Sequence, residues 1–278
     1  MLKKSLLCSL FFANILFASG SEVNVYSQRH YDSDKALFKK FEEKTGIKVN
    51  LITAKAEELV SRLSIEGANS PSDILITADI GNLYEAKERD LLQGVSSKTL
   101  EKNIPAHLRD EGGKWFAITK RARLFVYNPK TINPAHLDDY FSLTKPEFKG
   151  KVITRSSTNA YNKSLLASII AHHGEEKSLE FVKGLVNNFA RDPKGADKDQ
   201  IRAVASGEAD IAIVNSYYLG VMANSGDKVD EEIAKEVKVF FPAQKTTGAH
   251  INISGAGITK FAPNKENAIK LIEFWTSE

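Results

Sequence analysis

Between residues 23 and 92 the chain changes period three times over. Val23-Asn24-Val25-Tyr26-Ser27 reads as a strand, and Leu37, Phe38 and Phe41 then lie on one helical face. Asp32-Ser33-Asp34 offers cap candidates before that helix, and Gly46 ends it. Ile47 to Ile52 reads as a strand, Ala56 to Ile65 as a helix, Asp73 to Thr77 as a strand and Leu83 to Leu92 as a helix. A β-α-β-α-β-α series of this kind folds into an open, mostly parallel sheet with helices on its faces.

The middle of the chain departs from that rhythm. Trp115 to Asn128 is a long extended stretch, suited to carrying the chain out of one domain and into another. A second α/β series follows. It has a strand at Lys151 to Arg155, helices at Asn162 to Ala171, Ser178 to Asn188 and Ile201 to Ala205, and a strand at Ile211 to Asn215. Val237 to Pro242 is extended, and Ile251 to Ile258 reads as the return passage. The helix Asn264 to Trp275 carries Ala268, Leu271, Ile272 and Trp275 on one face. The chain therefore divides into a signal segment, residues 1–20, and two α/β lobes joined by two crossings. Lobe 1 takes residues 21–118 and 243–278, and lobe 2 takes 119–242. Ligands bind in the cleft between such lobes.

The first twenty residues belong to neither lobe. Lys3 and Lys4 precede the apolar run Leu6 to Ala18, and small residues follow up to Gly20, as in a secretory signal peptide. The run is about 13 residues, short of the ~20 that span a bilayer. Cleavage near Gly20 lowers the formal charge from +3 to +1 and removes the one cysteine, Cys8. A nearly neutral chain argues against nucleic acid as a partner. A chain without thiols has no disulfide, zinc-thiolate site or cysteine nucleophile. The chain is then read as exported.

In open α/β sheets, ligands lie outside the carboxyl ends of the strands. Three such exits carry unusual residues: His30 and Tyr31 after the first strand, Tyr161 before a helix, and Tyr217-Tyr218 after Ile211 to Asn215. Adjacent side chains diverge on regular backbone, so two phenols aimed at one place call for an irregular segment at Asn215-Ser216. Phenols at these positions can stack on a sugar or peptide, donate protons, or ionise to hold a hard cation. Free tyrosine ionises near pH 10, and a highly charged metal supplies the needed help. Three phenolates neutralise a trivalent metal, with His30 as a neutral further donor. Hard oxygen donors suit ferric ion better than copper(I) or zinc. Taken singly, each tyrosine pair is more often an ordinary aromatic contact.

The quoted junctions, together with SPSDILITADIGNLYEAKERDLL, GEADIAIVNSYYLG and NISGAGITKFAPNKENAIKLIEFW, resemble the periplasmic ferric-ion-binding proteins of ABC-type iron importers. The resemblance covers essentially the whole mature chain. It implies a two-lobe, type II periplasmic-binding fold that closes on Fe(III) and hands it to an inner-membrane ABC permease, the protein itself being a monomer. The implied metal ligands are His30, Tyr31, Tyr161, Tyr217 and Tyr218. An HY pair with three further tyrosines is similar to the branch that coordinates iron with side chains alone, whereas other branches recruit carbonate or phosphate. Arg155, Ser156, Ser157 and Thr158 at a helix start are candidates for holding such an anion. Arg121 or Arg123 is a candidate to reach the cleft and lower a tyrosine pKa, with a solvated surface charge the expectation for at least one of them. Family members run on for several dozen residues beyond Glu278, so the C-terminal completion of lobe 2 is expected to be missing.

Other motifs carry less. His172-His173-Gly174-Glu175-Glu176 reads as a helix end with a glycine cap rather than a metal cluster. Asn162-Lys163-Ser164 and Asn252-Ile253-Ser254 match the glycosylation pattern only weakly, and His250 is read as structural. The sequence has no G-x-S-x-G, H-E-x-x-H, P-loop or G-x-G-x-x-G, which leaves an exported hydrolase or transferase far behind a binding protein. A carrier for an oxyanion or small organic solute, using Ser156, Ser157, Thr158 and stacked tyrosines, is the rival within binding proteins.

Overall fold

The computed structural model describes residues 22–277. The signal segment, Cys8 and the cleavage site near Gly20 lie outside the described residues. The first series is β1 (Glu22–Ser27), α1 (Asp32–Thr45), β2 (Lys48–Thr53), α2 (Ala56–Glu66), β3 (Ile74–Thr77) and α3 (Ile80–Glu88), followed by a short α4 (Lys98–Asn103). The long extended stretch is β4 (Phe116–Tyr127). The second series is β5 (Val152–Ile153), α5 (Ala160–Asn187), α6 (Asp197–Ser206), β6 (Ile211–Asn215), α7 (Tyr217–Ala223), α8 (Lys228–Glu236) and β7 (Lys238–Phe240). The return is β8 (Ile251–Ile258), and α9 (Lys265–Trp275) closes the described chain.

The strands share one path, β2-β1-β3-β8-β4-β6-β5, with β7 also on β4. β1–β2, β1–β3 and β5–β6 are parallel, while every pairing made by β4 or β8 is antiparallel. The expectation of a mostly parallel sheet therefore needs amending where the chain crosses. Each α/β series winds its strands in one direction through helical crossovers, but a chain that leaves on one strand and returns on its neighbour must pair antiparallel.

Strand alternation sorts the core into two layers on each half. In β1 and β3, Val23, Val25, Ile74 and Ile76 face one cluster with Phe41, Phe116, Leu271 and Ile272, while Tyr26 and Leu75 face another with Leu59, Leu63 and Leu83. In β4 and β6, Phe125, Tyr127, Ile211 and Ile213 pack on one side, and Leu124, Val126, Ala212 and Val214 on the other. Among the described residues, no buried cluster mixes residues 23–118 and 253–275 with residues 124–240. Two cores, bridged by β4 and β8, are the two-lobed architecture read from the sequence.

The helical faces follow from spacing. Phe38 and Phe41 are buried on α1, and α9 lies over them, with Trp275 edge-on to Phe38 at 5.0 Å and Phe274 at 5.5 Å from Phe41. Gly46 ends α1 at φ 71°, a conformation that costs other residues, and its N–H donates to Glu42 O. The two helices expected at Asn162 to Ala171 and Ser178 to Asn188 run end to end as α5. They are separated at Gly174, where φ 79° and ψ 170° leave helical geometry. The expected strand at Lys151 to Arg155 shrinks to Val152–Ile153, and the expected helix at Ile201 begins earlier, at Asp197. α4 and α8 have no counterpart in the sequence reading. Among the described residues no helix is long and apolar enough to cross a membrane.

Candidate functional site

The first strand exit is pinned from beneath. Ser27 Oγ donates to Arg29 O and accepts from Arg29 N, which folds the chain sharply as it leaves β1. Arg29 then turns inward. Its Nε and Nη2 donate to the two carboxylate oxygens of Asp34 at 2.8 and 2.6 Å, and its Nη1 donates to Thr119 Oγ1 at 3.0 Å. His30 and Tyr31 are left outside, with their rings stacked at 5.7 Å, and Tyr31 is 39% exposed. Tyr31 occupies the N-cap position of α1, and no side chain caps that helix. The cap role expected within Asp32-Ser33-Asp34 is not filled, because the helix already begins at Asp32 and the cap position falls on Tyr31.

The second exit places Tyr161 in the first turn of α5. Asn159 caps the helix, its Oδ1 accepting from Tyr161 N at 3.0 Å. Three guanidinium groups surround the Tyr161 ring, Arg121 at 4.8 Å, Arg155 at 5.4 Å and Arg123 at 6.0 Å from its centre. The surface-charge expectation for Arg121 and Arg123 is overturned, since both are buried. Arg121 donates to Asp79 at 3.1 Å. Arg123 donates to Asp197 at 2.5 Å and to Asn162 at 2.7 Å, and Arg155 donates to the other Asp197 oxygen at 2.8 Å. One fully buried carboxylate therefore serves two guanidiniums, which leaves a positive charge in surplus beside Tyr161.

The third exit opens a helix rather than an irregular loop. Ser216 bonds twice to Ala122, and α7 starts at Tyr217. Tyr217 and Tyr218 nonetheless stack, with centroids 4.3 Å apart and planes 29° apart, because a first turn has no preceding turn to crowd their side chains. Tyr217 Oη is buried without a hydrogen-bond partner. Burial first, and then the neighbouring Tyr161, push the Tyr217 phenol well above its usual range. Burial, with Tyr161 and Asp197 nearby, pushes Tyr218 up to about 12. Without a cation these two groups are neutral.

The exits meet. Tyr31, Tyr161 and Tyr217 line one cavity of about 250 Å³, with Arg29, Thr119, Lys120 and Arg121 on its wall. His30, Tyr31 and Tyr161 line an adjoining space of about 370 Å³. Tyr218 reaches the group through its stack on Tyr217. Among the described residues, no group of three or more His, Cys, Asp or Glu is arranged to hold a metal, so phenols are the donors on offer. Phenol oxygens crowded in a buried place give up protons to a hard, highly charged cation in preference to a soft one.

The remaining candidates fall elsewhere. Ser156 and Thr158 bond to each other at 3.0 Å, and Thr158 N donates to Ser156 Oγ, so their turn is satisfied internally. His172 and His173 are exposed, and His173 lies edge-on to Phe141 at 5.0 Å. His250 is half-buried and held by Ser164 Oγ at 2.9 Å. The residues missed from sequence are Arg29 and Asp197. Arg29 sits beside His30, but nothing local signals that it turns inward. Asp197 meets Arg123 across 74 positions, which no short pattern encodes.

A two-core α/β chain whose strand exits converge on a cleft beside its crossing strands is a type II periplasmic binding protein. The chain belongs to the bacterial extracellular solute-binding protein family, whose profile matches residues 26–278. It is 51% identical over 257 residues to iron uptake protein A1 of Synechocystis sp., a match covering 92% of this chain and 71% of that protein. Among solved structures it resembles the ferric binding protein from Campylobacter jejuni, with 52% identity and a TM-score of 0.86 over 91% of this chain and 80% of the other. It also resembles a Trichodesmium protein, FutA or IdiA, in complex with iron and citrate ligands, with 48% identity, a TM-score of 0.87 and coverage of 92% and 81%. These relatives are binding and uptake proteins rather than enzymes.

Proposed function

We propose that this chain is the periplasmic binding component of an ABC iron importer, and that it captures Fe(III) between its halves through Tyr31, Tyr161, Tyr217, Tyr218 and His30. The observation that carries the reading is the convergence of three strand exits, far apart in sequence, on one phenol-lined cavity. The relatives' names, iron uptake protein and ferric binding protein, point the same way. On this reading residues 21–118 with 243–278 and residues 119–242 are the two lobes that close on the ion. Closure creates the form that a membrane permease recognises, and the protein acts as a monomer. Each phenol that binds releases its proton, so capture weakens as the medium acidifies.

The test is spectroscopic. Fe(III)-phenolate has a visible charge-transfer band, so purified protein should colour when ferric ion is supplied. Protein that stays colourless sinks the proposal.

An accompanying anion has its own support: Lys120 lines the cavity, Arg123 and Arg155 share one carboxylate beside Tyr161, and the Trichodesmium relative is in complex with iron and citrate ligands. Carbonate or a carboxylate would fill a remaining position on the metal. Thermal shift with ferric ion alone, citrate alone and both together separates the cases. A shift with citrate alone favours a carrier for organic anions.

A further inference from the structure

Arg121 and Asn252 stand directly opposite each other on the two crossing strands, β4 and β8. Both are buried, and both reach the same carboxylate. Arg121 Nη2 donates to Asp79 Oδ2 at 3.1 Å, and Asn252 Nδ2 donates to that oxygen at 2.9 Å. Asp79 belongs to the first half. It caps α3, its other oxygen accepting from Gly81 N at 2.9 Å. Asn252 Oδ1 ties the same helix start from the other side, accepting from Ile80 N at 3.2 Å.

Each of the two residues also reaches into the second half, and both reach α5. The Arg121 guanidinium lies over the Tyr161 ring. The second Asn252 amide proton goes to Ser164 Oγ. Tyr161 and Ser164 are three residues apart, on one face of the helix. Asn252 uses both N–H groups, on Asp79 and Ser164, and Ser164 Oγ is in turn hydrogen-bonded with His250 Nε2 at 2.9 Å. A buried network in which every group is satisfied specifies one geometry, and removing one member leaves the others unpaired.

We propose that Arg121 and Asn252 form a two-armed bracket that fixes the first turn of α5 to Asp79, so that Tyr161 is held in the cavity and the two halves are held together around the ligand. The bracket residues are positioning residues: they act through Tyr161 and the lobe arrangement. The proposal rests on the iron reading for its binding consequence, but its structural arm stands without metal.

The test uses the whole mature chain and Ser164→Ala, a mild change at a half-buried position, alongside Asn252→Ala. Iron release is followed as loss of the visible band after excess EDTA is added to ferric-loaded protein. Loss of one buried bond predicts roughly tenfold faster release from Ser164→Ala, with the band maximum unmoved because the ligands are the same. Ser164→Thr, which keeps the hydroxyl, should restore slow release. Release from Ser164→Ala at the wild-type rate overturns the bracket, and so does an equal acceleration in Ser164→Thr. The iron-free proteins give the second arm. Amide exchange across residues 161–168 should quicken and the small-angle scattering radius should grow in Ser164→Ala, and no change in either overturns the proposal even if Asn252→Ala fails to fold. Wild-type protein that never develops the band refutes the iron reading while leaving this arm to judge the bracket.

Discussion

The two sides of the cleft are built differently. His30 and Tyr31 stand on a turn, exposed, touching chiefly each other and the Arg29 guanidinium, which lies 5.1 Å from the Tyr31 ring. Tyr161, Tyr217 and Tyr218 stand on first turns of helices, half-buried, against a network of Arg121, Arg123, Arg155, Asp79 and Asp197. A side whose donors are already oriented loses little entropy on taking up an ion, whereas a side on a turn must be ordered by it. If the proposed iron reading holds, this difference predicts first contact on the second half and closure by the first.

The comparison breaks most sharply at the tyrosine pair. Tyr217→Phe with Tyr218→Phe should remove most of the visible band and cost more than roughly 100-fold in ferric affinity, measured by competition with a chelator, since even outer partners of a metal ligand cost 10–100-fold. If the double variant binds as before, the second half is not the receiving side. The next effect is on stability. Asp197 is fully buried between two guanidiniums, so Asp197→Ala should lower unfolding stability by about 3–5 kcal/mol, read as a urea midpoint. A comparable loss from Ser156→Ala would show that burial does not distinguish the two positions.

A pH series probes the seam where His250, at the start of the return crossing, packs against the second half. Burial first, then Arg121 and Arg123, hold His250 down to about 4, against an unfolded value near 6.5. The unfolded chain therefore binds the extra proton first. The stability due to neutral His250 is complete above about 6.5 and is lost as pH falls toward about 4, a change of about 3 kcal/mol. His250→Gln should flatten that slope in a urea titration between pH 7 and 4. On the exposed side, Tyr31→Phe should weaken binding but leave a residual band from the second-half phenols, and His30→Ala should shift that band least of the ligand changes. A complete loss of colour in Tyr31→Phe would make the two sides equal partners and end the distinction.

Much of this was readable in advance. Ile211–Asn215 and Ile251–Ile258 have the bounds the sequence suggests, and all four residues assigned to the inner face of α9 are buried. Apolar periodicity reports burial directly, so elements defined by it are legible. α8 was missed because its nine residues are mostly charged, and its start is set by an Asp227 cap rather than by an apolar face. The proposed donors were legible as tyrosines at strand exits. Arg121 and Arg123 were legible as candidates for the cleft but their burial was not, because a guanidinium turns inward only when a distant carboxylate is there to receive it, as Asp197 receives Arg123 and Asp79 receives Arg121. The stack of Tyr217 on Tyr218 was misjudged for a related reason: the neighbours that crowd a side chain in mid-helix are absent in its first turn.

The path of the chain through the sheet also sets an order of assembly. Every buried cluster of the second half is drawn from residues 124–240, a single continuous stretch. The first half is completed only when β8 is laid between β3 and β4 and when Trp275 and Phe274 cover α1. Its contacts join positions more than two hundred residues apart, and closing such loops is slow. The topology thus predicts that the second half folds first and that the first half, with His30 and Tyr31, waits on β8, an order that pulse-labelled amide exchange during refolding checks.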